Sequence, residues 1–227
     1  MLSANEIKRK IGEAAAQLVK HGMTVGIGTG TTAHWLIVSL GKSVQEGLEI
    51  RCVPTSNATA QLAQENNIPL VTLNDVDSID LTIDGADEID PQLQLIKGGG
   101  GALLQEKMVA AASKQMIVIA DHTKLVKQLG AFPLPVEVIP FGWKQVERRI
   151  QQLYSIPTTL RLKDGKPLVT DHGHHILDCQ FGQIADARSL HASLNTIPGV
   201  VDNGLFIGIA TGTLIGYADG RVVFEPR

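Results

Sequence analysis

Thr24-Val-Gly-Ile-Gly-Thr-Gly-Thr-Thr-Ala33 decides the reading of the fold. Residues 24–28 make a short apolar strand, and a glycine–threonine turn then opens a helix over 33–40. A strand that runs through such a turn into a helix is the repeating unit of a parallel α/β sheet. Upstream, Ser3-Ala-Asn-Glu6 reads as a capping box, and Ile7, Ile11, Ala14, Ala15 and Leu18 fall at helical spacing. That predicts a helix over 3–21 with Gly22 as its C-cap. Downstream, strands are expected at 49–55, 69–73, 78–84, 92–97 and 116–120, with helices at 56–66 and 102–114.

The rhythm changes near Gly130. Residues 136–139 read as a strand, 144–154 as a helix, and 158–162 with 168–170 as strands flanking Lys163-Asp-Gly-Lys166, a hairpin signal. Residues 174–178 extend that sheet, 187–194 form a helix, and 204–209 a strand. The order implies a small α+β unit, ferredoxin-like, of roughly 70 residues. We therefore expect a catalytic domain of 1–130 plus 206–227 and an inserted unit of 131–205. The last strands, 213–217 and 221–224 around an Asp219-Gly220 turn, are expected to rejoin the first sheet.

Composition narrows the function. The chain has 227 residues, 44% hydrophobic and 19% charged, which suits a packed core. Twenty basic against 23 acidic residues give a formal charge of −3, so no footprint for nucleic acid or an anionic membrane is present. No stretch reaches the ~18 apolar residues of a membrane helix. The N-terminal residues lack an apolar signal, so a soluble, cytoplasmic protein is expected. Cys52 and Cys179 fit neither a zinc motif nor a disulfide framework.

Three segments carry candidate chemistry. In Gly26-Ile-Gly-Thr-Gly-Thr-Thr32 the glycines free backbone amides to point at an anion, and the helix N-terminus adds partial positive charge. Thr29, Thr31 and Thr32 offer hydroxyls, and the spacing is open to a monophosphate site, a nucleotide site or a structural turn. The dinucleotide fingerprint fails at its last glycine and at its distant acid, where Arg51 and Cys52 stand. Asp84-Gly-Ala-Asp-Glu-Ile-Asp90 gathers acids where a strand ends, suited to sugar hydroxyls, a hard cation or a solvated turn. Lys97-Gly-Gly-Gly-Gly101 suits backbone that wraps closely around a ligand beside a cation, with a flexible linker as the alternative, and Glu106 follows among Ala102, Leu103, Val109 and Ala110. An apolar setting raises a carboxyl pKa, as a general base requires; a solvated edge is the alternative. Lys124, past the strand 116–120, and Lys8 on the first helix are further cations for a phosphate or plain surface lysines. His172, His174 and His175 cluster on the expected hairpin, where metal binding competes with a structural role.

Taken together, Gly28-Thr-Gly-Thr-Thr-Ala33, Asp84-Gly-Ala-Asp-Glu88, Lys97-Gly-Gly-Gly100 with Glu106-Lys107, and Ala120-Asp-His-Thr-Lys124 resemble type A ribose-5-phosphate isomerases in order and spacing. The resemblance covers nearly the whole chain. It implies a Rossmann-like domain with an inserted α/β lid-like domain, usually in a dimer or tetramer. It also implies interconversion of ribose 5-phosphate and ribulose 5-phosphate without metal or organic cofactor. By that resemblance Glu106 matches the general base, and Asp84, Asp87 and Lys97 surround the reacting end of the sugar. Thr29, Gly30, Thr31, Thr32, Gly85, Ala86, Gly98, Gly99, Gly100, Lys124 and Lys8 match substrate-binding positions. Thr31 stands where the family often has serine, and Gly101 where alanine is frequent. The implied chemistry needs the Glu106 carboxyl and the Lys97 ammonium to face one hollow. Rival readings are a sugar-phosphate sensor, an amino-sugar phosphate deaminase or coenzyme A transferase, and a nucleotide-binding oxidoreductase.

Overall fold

The structure is a computed structural model, and it describes residues 2–227. In chain order the first elements are α1 (Ala4–Ala16), β1 (Thr24–Ile27), α2 (Thr31–Gln45), β2 (Arg51–Pro54), α3 (Asn57–Glu65) and β3 (Leu81–Asp84). Then come β4 (Glu88–Ile89), β5 (Leu95–Ile96), α4 (Leu103–Ala111) and β6 (Met116–Asp121). They are followed by β7 (Leu134–Val138), α5 (Trp143–Tyr154), β8 (Thr158–Leu160), β9 (Leu162–Lys163), β10 (Lys166–Pro167) and β11 (His175–Cys179). The last are α6 (Ala187–Leu194), β12 (Val200–Asn203), β13 (Leu205–Phe206), β14 (Gly212–Gly216) and β15 (Val222–Pro226). No helix among the described residues is long and apolar enough to cross a membrane.

The chain divides into two compact units, one of Met1–Ala86, Gln105–Leu125 and Gly208–Arg227, the other of Asp87–Leu104 and Val126–Ile207. The second is larger than the 131–205 expected from sequence, and main-chain pairing together with one buried carboxylate explains why. β13 pairs with β5, the Val126 amide donates to the Ile89 carbonyl at 2.9 Å, and the Glu88 carboxylate accepts from the amides of Gly130 and Phe132.

The first unit is built on a six-stranded sheet in the order β15-β14-β6-β3-β1-β2. Every neighbour is parallel except the β14–β15 pair at the edge. Period-2 alternation sends successive side chains to opposite faces. Cys52 thus joins Val25, Ile27, Leu81 and Ile83 in a core with Ile11 of α1 and Leu36 and Ile37 of α2. Its neighbour Val53 packs instead with Ile79 and with Val109 of α4. Helices therefore cover both faces, and the fold is the largely parallel α/β arrangement the sequence predicts. The capping box forms as expected, with the Glu6 amide donating to Ser3 Oγ and the Ser3 amide to the Glu6 carboxylate.

The second unit has the order β12-β7-β11-β8 in its four-stranded sheet, with all three pairings antiparallel. Together with α5 and α6 this is a ferredoxin-like βαββαβ arrangement. Val136, Val138 and Leu177 of the sheet pack with Ile150 of α5 and Leu190 of α6. The β9–β10 hairpin closes through Asp164 and Gly165, both with positive φ, as an Asp-Gly turn of this type requires.

Three local expectations are corrected. Residues 69–73 make only one bridge, Leu70 to Cys52, because Pro69 on one side and Pro54 of β2 on the other have no N–H to extend the ladder. The first helix ends at Ala16 with Gln17 as C-cap, so Gly22, with φ 81°, serves a later turn. Residues 168–170 lie outside the strands.

Asp80 ties strand ends together at the amino side of β3. Its carboxylate accepts from Lys114 Nζ at 2.7 Å and from the Thr24 amide at 2.9 Å. Those bonds, the lysine's first, hold the carboxyl below its ordinary range. A depressed carboxyl stabilises the fold fully above its unfolded pKa and loses that effect as pH falls through the folded value. Asp80→Asn is expected to lose about 1 kcal/mol of stability at neutral pH. In urea titrations the deficit should shrink below about pH 4; a pH-independent deficit would contradict the pairing.

Candidate active site

In the first unit the candidate residues sit beyond the carboxyl ends of parallel strands, where α/β sheets bind ligands. β1 and β3 are neighbours and end together, Ile27 opposite Ile83. The chain leaving β1 crosses directly over Asp84, which is fully buried. Asp84 Oδ1 accepts from the Thr29 amide at 3.1 Å and from the Gly85 amide at 2.7 Å. Gly28 is obligatory here, since a Cβ on it would lie 2.1 Å from Asp84 Oδ1.

Gly30 follows with φ 111° as the N-cap of α2, and no side chain caps the helix. The first amides of a helix have no intrahelical acceptor. Thr31 is exposed and Thr32 half-buried at that terminus. The Thr29 hydroxyl does not join them. It lies 2.8 Å from the hydroxyls of Thr55 and Ser56 and 3.0 Å from that of Thr59. Thr59 in turn donates to the Gly28 carbonyl, and Thr55 to the Ile27 carbonyl. This hydroxyl cluster fixes the turn from behind, and the sequence reading missed it. Its signal was present in Thr55-Ser56 and Thr59 at the start of α3. A hollow of about 380 Å³ opens beside the turn, lined by Thr29, Gly30 and Thr31 with His34 and Trp35 of α2.

Glu106 lies in the first turn of α4 and is only 4% exposed. Gln105 Nε2 anchors that helix to the Pro54 carbonyl at the end of β2, at 2.9 Å. Of the two settings the sequence leaves open for Glu106, the buried one is present. Lys124 is half-buried in a 3-10 turn at the end of β6, where Asp121 caps the turn by accepting from the Thr123 amide. Lys8 is half-buried on α1, and Gly85 and Ala86 continue from Asp84, half-buried.

In the second unit, Asp87 and the run 97–101 form a cluster. Lys97 is 2% exposed, its amide donates to the Gly204 carbonyl at 2.9 Å, and its ammonium stands 5.4 Å from the Phe206 ring centroid. Asp87 Oδ2 accepts from the Gly99 amide at 2.8 Å. A Cβ on Gly99 would come within 2.7 Å of the other Asp87 oxygen, which accounts for one of the four glycines. Gly98 has φ 102° and is buried, while Gly99 and Gly100 are exposed. Arg161, absent from the sequence reading, donates to the carbonyls of Gly98 and Gly99.

The histidine cluster disperses. His174 Nδ1 lies 3.0 Å from Glu137 Oε1, His175 Nδ1 lies 3.1 Å from the Leu168 carbonyl, and His172 is exposed. Among the described residues no group of three or more His, Cys, Asp or Glu is placed to hold a metal ion. Both cysteines are free and buried, and burial pushes each thiol up to about 12.

A doubly covered parallel sheet with buried acids and a glycine–threonine turn at its strand ends defines a Rossmann-like α/β protein with a small-molecule site. The chain belongs to the ribose 5-phosphate isomerase A (phosphoriboisomerase A) family, whose model matches residues 51–220. It is 54% identical over 215 residues to a ribose-5-phosphate isomerase A of Bacillus mycoides, covering 94% of this chain and 97% of that one. A Ruegeria relative of the same name is 56% identical over 215 residues, covering 92% and 82%. A D-ribose-5-phosphate isomerase solved with phospho-erythronic acid superposes with a TM-score of 0.95 at 38% identity, covering both chains completely. The Methanocaldococcus jannaschii ribose 5-phosphate isomerase A matches with a TM-score of 0.93 at 41% identity, covering 99% of this chain and 100% of the other.

Gly28→Ala tests the strand-end geometry. The added methyl must displace either Asp84 or the turn, so a loss of at least about 2 kcal/mol is expected, with weakened activity. Thermal denaturation and a turnover assay measure both; an unchanged Tm would contradict the close approach.

Proposed function

We propose that the chain interconverts D-ribose 5-phosphate and D-ribulose 5-phosphate through an enediolate, with Glu106 as general base. The observation that carries this reading is the burial of the Glu106 carboxyl on a helix anchored to the sheet's carboxyl end. A base working on a weakly acidic C–H gains from such a setting. Glu106 takes the C2 proton of the open-chain aldose, negative charge develops on O1, and the proton returns to C1. The O2 hydroxyl proton passes to O1 as C2 becomes the ketone. Lys97 supplies the positive charge that the developing oxyanion needs; losing such a partner costs about 3 kcal/mol. Asp84 relays hydroxyl protons and assists ring opening, and Asp87 holds sugar hydroxyls.

The phosphate takes no part in the chemistry, but its binding energy places the reacting end. The α2 terminus with Thr31 and Thr32, and the charges of Lys124 and Lys8, receive it. Thr29 serves through its amide, which holds Asp84, rather than through its engaged hydroxyl. Gly98 and Gly100 meet the sugar through backbone. The relative that holds phospho-erythronic acid supports the choice of ligand class, because a carboxylate presents two coplanar oxygens as an enediolate does. A cytoplasmic setting and a homo-oligomer, dimer or tetramer, belong to the same proposal and rest on the family resemblance.

Glu106→Gln is expected to lower turnover by about 10³-fold or more while ribose 5-phosphate still binds, measured by calorimetry. Turnover within a few-fold of the parent would remove Glu106 from the role of base. Replacing Thr31 and Thr32 together by valine should raise KM roughly tenfold and leave kcat within a few-fold. A fall in kcat at unchanged KM would place these hydroxyls at the reacting end instead.

A further inference from the structure

We propose that Arg161 is a positioning residue for the isomerisation, and that it acts by aiming the backbone of the loop 98–100; this rests on the reading of that loop as a substrate contact. Three successive glycines carry no side chains with which to hold a shape, and their ordering entropy is large. A turn bond from the Gly101 amide to the Gly98 carbonyl at 3.0 Å holds part of the shape, and the rest comes from outside the loop. Arg161 Nη1 donates to the Gly98 carbonyl at 2.6 Å and to the Gly99 carbonyl at 3.1 Å. The rest of the guanidinium is committed to Asp178, with Nε to Oδ2 at 2.9 Å and Nη2 to Oδ1 in the second arm of the fork. Both side chains are largely buried, 13% and 20% exposed. The arginine backbone is itself pinned, its amide on the Ile176 carbonyl and its carbonyl on the Leu168 amide.

The consequence follows from peptide planarity. In a trans peptide the C=O and the next N–H point in opposite directions. The unit joining Gly98 to Gly99 is therefore clamped from both sides, its carbonyl by Arg161 and its N–H by the Asp87 carboxylate. The unit joining Gly99 to Gly100 has its carbonyl on the same guanidinium. Its N–H, that of Gly100, is consequently turned away from Arg161, on an exposed stretch of chain. An amide fixed in this way is a preorganised donor for a sugar oxygen, and preorganised donors act on charge that develops in the transition state. Arginine suits the task because its planar fork serves carboxylate and carbonyls at once, whereas a lysine ammonium is a point charge without that geometry.

Arg161→Lys, Arg161→Gln and Asp178→Asn are compared with the parent for kcat, KM and Tm, with Lys97→Met as a reference for the loop reading. Misplacing a catalytic contact by about 1 Å costs about 10²-fold. The proposal expects kcat to fall about tenfold or more in Arg161→Lys and further in Arg161→Gln, with KM within about threefold and Tm nearly unchanged. Asp178→Asn, which keeps the arginine and loosens its brace, should fall several-fold in kcat. Parent-like kcat in the arginine variants beside an inactive Lys97→Met overturns the role of Arg161 and spares the loop reading. A fully active Lys97→Met overturns the loop reading itself, and this proposal with it. Should all three Arg161 and Asp178 variants fail to fold, Arg161 is a folding residue and the proposal is likewise overturned.

Discussion

The buried Asp84 carboxylate, pressed against a turn that has no room for a side chain, is the constraint on which the first unit's site depends. Two parallel strands end side by side, so the chain leaving one must cross the end of the other. The crossing is possible only because Gly28 lacks a Cβ. It succeeds energetically because the fully buried Asp84 carboxylate finds donors in the Thr29 and Gly85 amides. Once that crossing is fixed, the path of residues 28–30 is set, and with it the place where α2 begins. The hydroxyls of Thr55, Ser56 and Thr59 then close the turn from the other side. The glycine–threonine turn and the buried Asp84 carboxylate are thus products of one packing event.

The second unit solves a similar problem by different means. Its glycine run lies against Asp87 and under Arg161, and the close approach of Asp87 to Gly99 leaves no space for a methyl. Backbone polar groups here are matched to charged side chains, which makes their hydrogen bonds roughly twice as strong as neutral ones. Lys97 precedes the run and is buried, its ammonium against the Phe206 ring. Backbone groups held in this way by charged side chains are fixed by the fold and reorganise little.

Much of this was legible from local sequence. The alternation of apolar strands and helices, the Ser3–Glu6 box, the Asp164-Gly165 hairpin and the returning tail are all encoded within a few residues, and all are present. The segment 69–73 falls short of a strand because Pro69 and, across the ladder, Pro54 lack the N–H groups that would extend the pairing. What the sequence hid was long-range. The Thr29 hydroxyl meets partners 26 to 30 residues away, and Arg161 reaches carbonyls 62 and 63 residues away. Neither contact leaves a local pattern. The histidine triplet shows the converse, a conspicuous local pattern whose members turn to unrelated partners.

The central claim is that one carboxyl, Glu106, moves a proton between adjacent carbons. Conversion of ribose 5-phosphate in deuterium oxide, followed by proton NMR, tests it most directly. A single base that exchanges with solvent delivers deuterium to C1 of ribulose 5-phosphate and, by reversal, to C2 of the recovered aldose. The account predicts such incorporation with the parent protein and its loss when position 106 carries glutamine. Incorporation by that variant at the parent's rate would contradict the account.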